Sequence, residues 1–459
     1  MGIRDGIMGA TRFLRDSIKI CPGEAGRRIR EKQEDERIRE ARTRKVQLRS
    51  QGFEISGYTV FKEPEGKLHP EAKQEIEKAI RNGADLIYTD EGIAGGETSW
   101  YFKPDYGPDS LRGCNYIGPF FVCKDELLKE AGAEHYEELD TNGKWDAVIR
   151  LAGKARQICH IPKALYYREK QDISLRRIQD PIQGEPLVSI LIPNKDHKED
   201  LKRCIDSIRE KTTYPNYEII VIENNSTEEE TFRYYEELKQ DQRIRVVSRE
   251  GAFNYSAVNN LGEKEARGEQ ILLLNNDTEV ISPDWIQEML MYAQRQDVGA
   301  VGAKLYYPDG TIQHAGIGIG IKMLAGHYFR GFPGDSDGYW GRLKYAQDVS
   351  AVTAACMMIP RKVYEEMHGL DESFSVVFND VDLCLRIREA GYLIVWTPRA
   401  ELKHYESKSR GADEDTPEKK KFFIRETNRF LRKWWRVLEK GDPYYNVNLT
   451  RWDEDFLLR

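Results

Sequence analysis

From Leu187 onward, short apolar runs alternate with helical stretches, and this alternation limits the fold more than any other feature of the sequence. The run 188–192 is continuous and rich in β-branched residues, as in a strand buried on both faces. Three further runs, with helical stretches near 198–210 and 228–240 between them, lie at 217–223, 244–248 and 270–274. Strands that alternate with helices predict an α/β fold whose mostly parallel sheet carries helices on both faces.

Polar turns follow three of these strands. They read Pro193-Asn194-Lys195-Asp196, Glu223-Asn224-Asn225-Ser226 and Asn275-Asn276-Asp277. A fourth polar segment, Phe378-Asn379-Asp380-Val381-Asp382, precedes a helical run that extends to Ala390. Ligands of such sheets bind beyond the carboxyl ends of the strands, so we expect these segments to form one site.

Two further helices have clear signals. Ser282-Pro283-Asp284-Trp285 predicts a helix start with a serine cap, a proline in the first turn and an early acid. The segment 417–440 predicts a basic amphipathic helix, whose apolar stripe is Phe423, Phe430, Trp434 and Leu438. Such a helix is able to lie on an anionic membrane, although a stripe of this kind more often packs on its own domain.

Charge and cysteine content exclude several classes of protein. The net charge of −7 gives no nucleic-acid signature, and no apolar stretch is long enough to span a bilayer. No apolar segment follows the first residues, so a signal peptide is not expected. The seven cysteines include no C-x-x-C pair, which argues against zinc ribbons and disulfide frameworks and favours a reducing cytosol. Residues 1–50 predict a solvated helical arm, with a basic arm for anionic lipid or a partner as the alternative.

A weak internal repeat links the first part of the chain to the α/β segment. Asp382-Leu383-Cys384-Leu385-Arg386 matches Asp146-Ala147-Val148-Ile149-Arg150, and at the same offset Thr397-Pro398-Arg399-Ala400 falls on Ile161-Pro162-Lys163-Ala164. In the earlier copy Lys144 stands for Asp380 and Glu65 for Asp277, and the first two strand–helix units have no counterpart. We therefore interpret this copy as a scaffold or an acceptor-side module rather than a second active site.

The ordered motifs of residues 187–410 resemble the family 2 glycosyltransferases. They are the strand that ends at Pro193, Glu223-Asn224-Asn225-Ser226, Leu274-Asn275-Asn276-Asp277-Thr278-Glu279 and Asn379-Asp380-Val381-Asp382. The resemblance implies a GT-A fold, Rossmann-like and mostly parallel, preceded by a partial, degenerate GT-A-like domain. The chain is similar to bacterial two-domain, rhamnosyltransferase-like enzymes of cell-surface polysaccharide synthesis.

On this basis we predict four segments. They are a charged helical arm (1–50), a truncated degenerate glycosyltransferase-like domain (51–180), a catalytic GT-A domain (186–412), and a basic amphipathic C-terminal helix and tail (413–459).

The resemblance implies a donor site, a divalent cation and a general base. Asp277 is a predicted ligand of Mn²⁺ or Mg²⁺, because hard cations prefer oxygen ligands and neutralise a leaving diphosphate. The resemblance implies that His404 also helps to hold the metal or the diphosphate. Asp380 is the predicted base, since an aspartate is ionised at neutral pH. Ordinary turns, a helix N-cap at Asp380 and a structural histidine at His404 are the alternatives. The predicted nucleotide-sugar-binding residues are Pro193, Asn194, Asp196, Glu223, Asn224, Asn275 and Asn276.

The acceptor side is assigned to the glycine-rich stretch 309–341, which is longer than its counterpart in the degenerate copy. A lid of this kind would bring His314, Tyr339 and Trp340 against sugars, with loop packing as the alternative. Asp382 is grouped with them, although its recurrence as Asp146 indicates a structural role.

The sequence thus predicts an inverting, metal-dependent glycosyltransferase of surface polysaccharide or cell wall synthesis. The donor would be a dTDP- or UDP-sugar, with dTDP-rhamnose as one option, and the acceptor a glycan or a lipid-linked glycan. No nucleic-acid partner is expected, and the predicted location is cytoplasmic, with contact to the inner face of the membrane through 417–440 as an option. An inert glycosyltransferase-like scaffold is the alternative. A nucleotidylyltransferase would need a glycine-rich basic loop that Pro193-Asn194-Lys195-Asp196 does not offer.

Overall fold

The computed structural model describes residues 48–93, 99–170, 173–406 and 416–458, so most of the predicted arm at 1–50 lies outside the described residues. The described strands are β1 (Tyr58–Lys62), β2 (Lys67–Leu68), β3 (Leu86–Ile93), β4 (Ser99–Tyr101), β5 (Phe120–Lys124), β6 (Ile158–Arg168), β7 (Val188–Asn194), β8 (Tyr217–Glu223), β9 (Ile244–Ser248), β10 (Gln270–Leu274), β11 (Thr278–Val280), β12 (Val298–Tyr306), β13 (Ile312–His314), β14 (Ile317–Ile319), β15 (Ala325–His327), β16 (Gln347–Asp348), β17 (Cys356–Pro360) and β18 (Leu393–His404).

The described α-helices are α1 (Ala72–Arg81), α2 (Pro108–Gly113), α3 (Asp125–Glu130), α4 (Thr141–Lys154), α5 (Lys198–Lys211), α6 (Glu229–Leu238), α7 (Tyr255–Glu265), α8 (Trp285–Ala293), α9 (Arg361–Glu366), α10 (Asn379–Glu389) and α11 (Pro417–Lys440). The chain divides into two compact units. Among the described residues, the larger unit holds Gln179–Ser336 and Val349–Lys440. The smaller unit holds the chain up to Ile178, Asp337–Asp348, and the chain from Gly441 onward. The division therefore separates α11 from the tail that follows it.

Eight strands of the larger unit form a mixed sheet in the order β11-β18-β12-β17-β10-β7-β8-β9. The pairs β10–β7, β7–β8, β8–β9 and β12–β18 are parallel, as the alternation of strands and helices predicts. The three pairs formed by β11 and β17 are antiparallel. The α/β class is confirmed, and the parallel character is weaker than predicted because β11 and β17 run against their neighbours.

The centre of this sheet brings the carboxyl ends of three strands together. β7 lies between β8 and β10, and Asn194 at its end is in register with Glu223. All residues of these three strands are buried, which matches the continuous apolar runs of the sequence. The three polar turns therefore follow neighbouring strands at one edge, as predicted.

The start of α8 differs from its predicted capping. The helix begins at Trp285, and Asp284 at the N-cap position makes no side-chain cap hydrogen bond. The Ser282 hydroxyl instead accepts a hydrogen bond of 2.9 Å from the backbone N–H of Glu401. The predicted serine cap is wrong because this hydroxyl binds the neighbouring strand β18.

The smaller unit repeats part of the larger sheet. Its strands follow the order β1-β5-β3-β6-β2, which corresponds to β10-β17-β12-β18-β11. Each of its four pairs also has the same direction as its counterpart. Among the described strands of this unit, none corresponds to β7, β8 or β9. The partial, degenerate copy inferred from the sequence is therefore confirmed.

The apolar stripe of α11 packs on the larger unit. Phe430, Trp434 and Leu438 are buried, and the Phe430 ring stacks on Phe378 with 4.6 Å between ring centroids. These three side chains belong to the core and Phe423 is half-buried, so the structure gives no support to the option in which this stripe lies on a membrane. No helix in the described part of the chain is both long enough and apolar enough to cross a membrane.

Candidate functional site

The turns after β7 and β8 are joined by a hydrogen-bonded network. The Asn194 side chain donates to the Tyr235 hydroxyl over 2.8 Å, and that hydroxyl donates to Glu223 Oε2 over 2.5 Å. Burial, followed by the hydrogen bond to Glu223, raises the pKa of Tyr235, which keeps it a donor. Ser226 donates to both carboxylate oxygens of Glu223 through its N–H and its hydroxyl. Glu223 thus orders this edge of the site.

Asp196 connects the same two turns from a left-handed backbone conformation with φ of 53°. Its Oδ1 accepts hydrogen bonds of 2.7 and 2.9 Å from the N–H groups of Thr227 and Glu228. Burial opposes ionisation, but these two bonds outweigh it and lower the pKa of Asp196. Asn224 is also internally bonded, since its amide donates to the Arg249 carbonyl.

The turn after β10 reaches the turn after β7 directly. The Asn276 side chain donates to Asn194 Oδ1 over 2.6 Å, so two of the predicted donor-binding residues touch. Pro193, next to them, is a buried member of β7 in register with Ile222. The structure therefore brings the predicted donor residues to one edge of the sheet, while their ligand stays a prediction.

Asp277 and His404 face each other where the end of β18 pairs antiparallel with β11. Thr278 pairs in register with His404, which leaves 3.1 Å between Asp277 Oδ1 and His404 Nε2. Both side chains are about one-tenth exposed. Burial disfavours each charge, but the mutual hydrogen bond and attraction outweigh it, lowering the pKa of Asp277 and raising that of His404.

Gln313, which sequence reasoning missed, orients the imidazole of His404. Its Oε1 lies 2.7 Å from His404 Nδ1, so Nδ1 carries the proton and Nε2 is directed at Asp277. The Gln313 amide donates in turn to Glu406 Oε2 over 3.0 Å. Partners of this kind fix the tautomer of a metal-binding histidine.

These residues fit a divalent cation that is also bound by a diphosphate. Within the described ranges, no three His, Cys, Asp or Glu side chains converge to hold a metal by themselves. Asp277 and His404 supply two adjacent ligands, and the Asn275 side chain is 3.2 Å from His404 Nε2. Mg²⁺-type ions commonly take one or two protein ligands and complete their shell with phosphate oxygens and water.

Asp380 lies in the first turn of α10, where the positive end of the helix dipole favours a carboxylate. Its Oδ2 accepts a 3.2 Å hydrogen bond from the Ala354 N–H. The hydroxyl of Tyr255 donates to the Ala354 carbonyl over 3.0 Å and lies 3.3 Å from Asn275 Oδ1. Tyr255, which sequence reasoning also missed, thus links the turn after β10 to the loop that supports Asp380.

Asp382 has a different environment from Asp380. It is fully buried, with Oδ2 2.9 Å from the Arg386 guanidinium and Oδ1 2.8 Å from the Trp434 indole N–H. Lys433 completes the set with an ion pair of 2.7 Å. An acceptor has no access to this carboxylate, so its grouping with the acceptor side is corrected to a structural role.

Of the other predicted acceptor residues, His314 and Trp340 are buried and Tyr339 is half-buried. His314 is fully buried, with 3.1 Å between its Nδ1 and His327 Nδ1, and burial holds its pKa well below the usual range. Tyr339 and Trp340 belong to the smaller unit, where both bond to the Trp100 carbonyl and Trp340 stacks on Tyr101 at 4.2 Å. These contacts favour packing, the alternative to an acceptor lid, and an acceptor role of Tyr339 and Trp340 stays a prediction.

The smaller unit does not assemble the corresponding chemistry. Glu65, the counterpart of Asp277, is exposed. Arg168, the counterpart of His404, forms an ion pair of 2.9 Å with the buried Glu91. Lys144, the counterpart of Asp380, is held by Glu137 over 3.0 Å. Arg168 and Lys144 thus pair with different carboxylates, and the three positions do not form a common site.

Comparison with known proteins identifies the larger unit. Residues 189–367 match the family model described as Glycosyl transferase family 2. This part of the chain is a family 2 glycosyltransferase domain. Its mixed sheet confirms the α/β class that the alternation of strands and helices predicted.

Several characterised and uncharacterised proteins resemble the chain over different lengths. An uncharacterized protein from Sinorhizobium fredii is 39% identical over 92% of this chain and 52% of its own length. The O-antigen biosynthesis protein RfbC from Myxococcus xanthus is 35% identical over 86% of this chain and 34% of its own length. An N-acetylglucosaminyl-diphospho-decaprenol L-rhamnosyltransferase from Mycobacterium tuberculosis is 27% identical over 31% of this chain and 49% of its own length. The chain spans about half the length, or less, of these curated relatives.

Proposed function

We propose that the chain is an inverting, metal-dependent glycosyltransferase of surface polysaccharide synthesis. The observation that carries the proposal is the Asp277–His404 pair beside a turn network at the carboxyl ends of β7, β8 and β10. The donor is a nucleotide-sugar, a dTDP- or UDP-sugar such as dTDP-rhamnose, and the acceptor is a glycan or a lipid-linked glycan. The names of two relatives, one for O-antigen synthesis and one for rhamnosyl transfer, support this substrate class.

The donor nucleotide would lie against the joined turns. Asn194 and Asn224 are buried there, and an oxygen of the Asn224 side chain has no hydrogen-bond partner in the described structure. A buried acceptor without a partner is costly, and a base N–H or a ribose hydroxyl would satisfy it. The carboxylates of Glu223 and Asp196 accept hydrogen bonds from the turn after β8 and so fix the conformation of the turns that the nucleotide would contact.

The diphosphate would lie beside Asp277 and His404, which would hold Mn²⁺ or Mg²⁺ with Asn275 nearby. When bound, such an ion supplies positive charge to the departing nucleoside diphosphate. Gln313 keeps His404 Nε2 aimed at that position. Because Asn275 is neutral, Asp277 is the carboxylate of this turn that provides charge.

Asp380 would act as the general base. The acceptor hydroxyl oxygen forms a bond to the anomeric carbon, the bond from that carbon to the diphosphate oxygen breaks, and Asp380 takes the hydroxyl proton. Attack opposite to the leaving group inverts the anomeric configuration. The hydrogen bond from the Ala354 N–H to Oδ2 orients the carboxylate for this role.

The smaller unit would serve as a scaffold or acceptor-side module, because its counterparts of the three site residues do not meet. We also infer a reducing, cytoplasmic setting. All six cysteines in the described part of the chain are free, and five of them are buried. Burial raises the pKa of Cys204 to about 12, which keeps that thiol protonated and inert.

Donor hydrolysis over a panel of UDP-, dTDP- and GDP-sugars with Mn²⁺ tests the proposal. We expect slow turnover of one donor by the wild type. Asp277→Ala should abolish it with loss of Mn²⁺-dependent nucleotide binding, whereas Asp380→Asn should abolish it with binding retained. Glu439→Gln, an exposed change on α11, is the control. Absence of metal-dependent binding of any nucleoside diphosphate would instead favour the inert scaffold.

A further inference from the structure

The C-terminal helix α11 packs against the loop that leads to Asp380 and forms hydrogen bonds with it. Glu426, Phe430 and Trp434 lie on its buried face, and the first two are fully buried. Phe430 stacks on Phe378, two residues before Asp380, with ring planes 19° apart. The helix therefore contacts the segment that determines where α10 begins.

Glu426 binds the backbone of that loop. One of its carboxylate oxygens accepts hydrogen bonds of 2.7 and 2.8 Å from the N–H and hydroxyl of Ser375. The other accepts bonds of 3.2 and 2.8 Å from the N–H groups of Val376 and Val377. Three successive N–H groups turned toward one buried carboxylate fix the path of the loop, because a carboxylate is an acceptor only.

The loop needs such a restraint because Phe378 has a left-handed backbone conformation, with φ of 63°. That conformation costs energy for a bulky residue and persists when the surroundings determine it. α10 starts directly after it, and its fourth residue, Asp382, accepts the 2.8 Å hydrogen bond from Trp434. α11 therefore holds the chain on both sides of Asp380.

We infer that Glu426 is a positioning residue for the general base, assisted by Trp434. Glu426 fixes the loop, the loop fixes the first turn of α10, and that turn directs the Asp380 carboxylate toward the acceptor. The catalytic part of this inference rests on the proposed function. Displacing a catalytic group by about 1 Å can lower the rate of the reaction about a hundredfold. We therefore expect the loss of Glu426 to lower kcat rather than donor affinity.

The central variant is Glu426→Gln, whose amide N–H₂ would oppose one of the loop N–H groups. We expect kcat for donor hydrolysis to fall about 10- to 100-fold, with the donor KM and Mn²⁺–nucleotide affinity unchanged. Hydrogen exchange of residues 373–382 should become faster. Glu439→Gln on the same helix should change none of these quantities, and Glu426→Asp should recover part of the kcat.

Hydrogen exchange separates this inference from the proposed function, because it needs no turnover. If the wild type turns over no donor, the proposed function fails, and unchanged exchange in Glu426→Gln would independently overturn the loop contact. Faster exchange with an unchanged kcat would overturn the positioning role. If Glu426→Gln does not fold, Trp434→Phe is the second variant. It keeps an aromatic ring at this position and removes the hydrogen bond to Asp382. It should lower kcat several-fold at constant KM, and an unchanged kcat would refute the inference.

Discussion

A buried histidine in the smaller unit makes the stability of that unit dependent on pH. His160 lies between two carboxylates, with Nε2 2.9 Å from Asp90 Oδ1 and Nδ1 2.9 Å from Asp105 Oδ1. Because both ring nitrogens face acceptors, both must carry protons, and the ring is an imidazolium. Burial opposes this charge, but the two carboxylates outweigh it and raise the pKa of His160 from 6.5 to about 9.

The magnitude follows from linkage between protonation and folding. The unfolded chain releases this proton near pH 6.5 and the folded unit near pH 9, which corresponds to about 3 kcal/mol. The Asp105 carboxylate is more than half exposed, so solvent screening reduces the expected value to about 2 kcal/mol. A raised pKa stabilises the fold fully below pH 6.5, and the stabilisation is lost as the pH rises through 9.

The assay compares wild type with His160→Gln by urea-dependent hydrogen exchange in peptides that cover β3 and β6. The stability difference between the two proteins should shrink by about 2 kcal/mol between about pH 6 and pH 10. His135→Gln, whose ring is mostly exposed, should show no such change and is the matched control. A difference that stays constant across this range would refute the assignment of a buried imidazolium.

Three further changes test other parts of the structure. Gln313→Leu removes the partner of His404 Nδ1, and calorimetry should show about 10- to 100-fold weaker Mn²⁺ binding in the presence of a nucleoside diphosphate. Tyr255→Phe leaves the Ala354 carbonyl without this donor, and urea titration should show a loss of about 1–2 kcal/mol. Arg168→Met removes a partner of the buried Glu91 and should destabilise the smaller unit by about 1–3 kcal/mol in hydrogen exchange, while donor hydrolysis stays unchanged.

The sheet could be predicted where local pattern and burial agree. The strands at 217–223 and 270–274 have the predicted bounds, because strands buried on both faces need continuous apolar runs. The strand at 244–248 also has its predicted bounds, although it is only partly buried. The antiparallel β17 has the same apolar character, but the sequence contains no sign of its direction. Direction depends on pairing with β10 and β12, which are distant in the chain.

The candidate site could be predicted only in part, for a related reason. Asp277 and Asp380 stand in recognisable motifs, whereas Gln313 and Glu426 act across about ninety and fifty residues of chain respectively. Gln313 lies in the glycine-rich stretch 309–341 and Glu426 in the predicted helix 417–440. Neither pattern indicates the role of these two side chains, which depends on the atoms they contact. Tyr339 and Trp340 show a further limit, since aromatic residues in a glycine-rich stretch suit sugar binding and core packing equally well.

The two copies of the sheet show why a shared fold does not imply a shared function. The last residue of the long strand is Arg168 in β6 of one copy and His404 in β18 of the other. Arg168 pairs with Glu91, which Lys103 also contacts, so in the smaller unit the position forms part of a buried charge network. His404 pairs with the carboxylate of a turn that continues into the β7–β8 network through Asn276. Among the described strands of the smaller unit, none corresponds to β7 or β8, which carry this network. The same position of one fold therefore stabilises a core in one copy and stands beside the proposed donor site in the other.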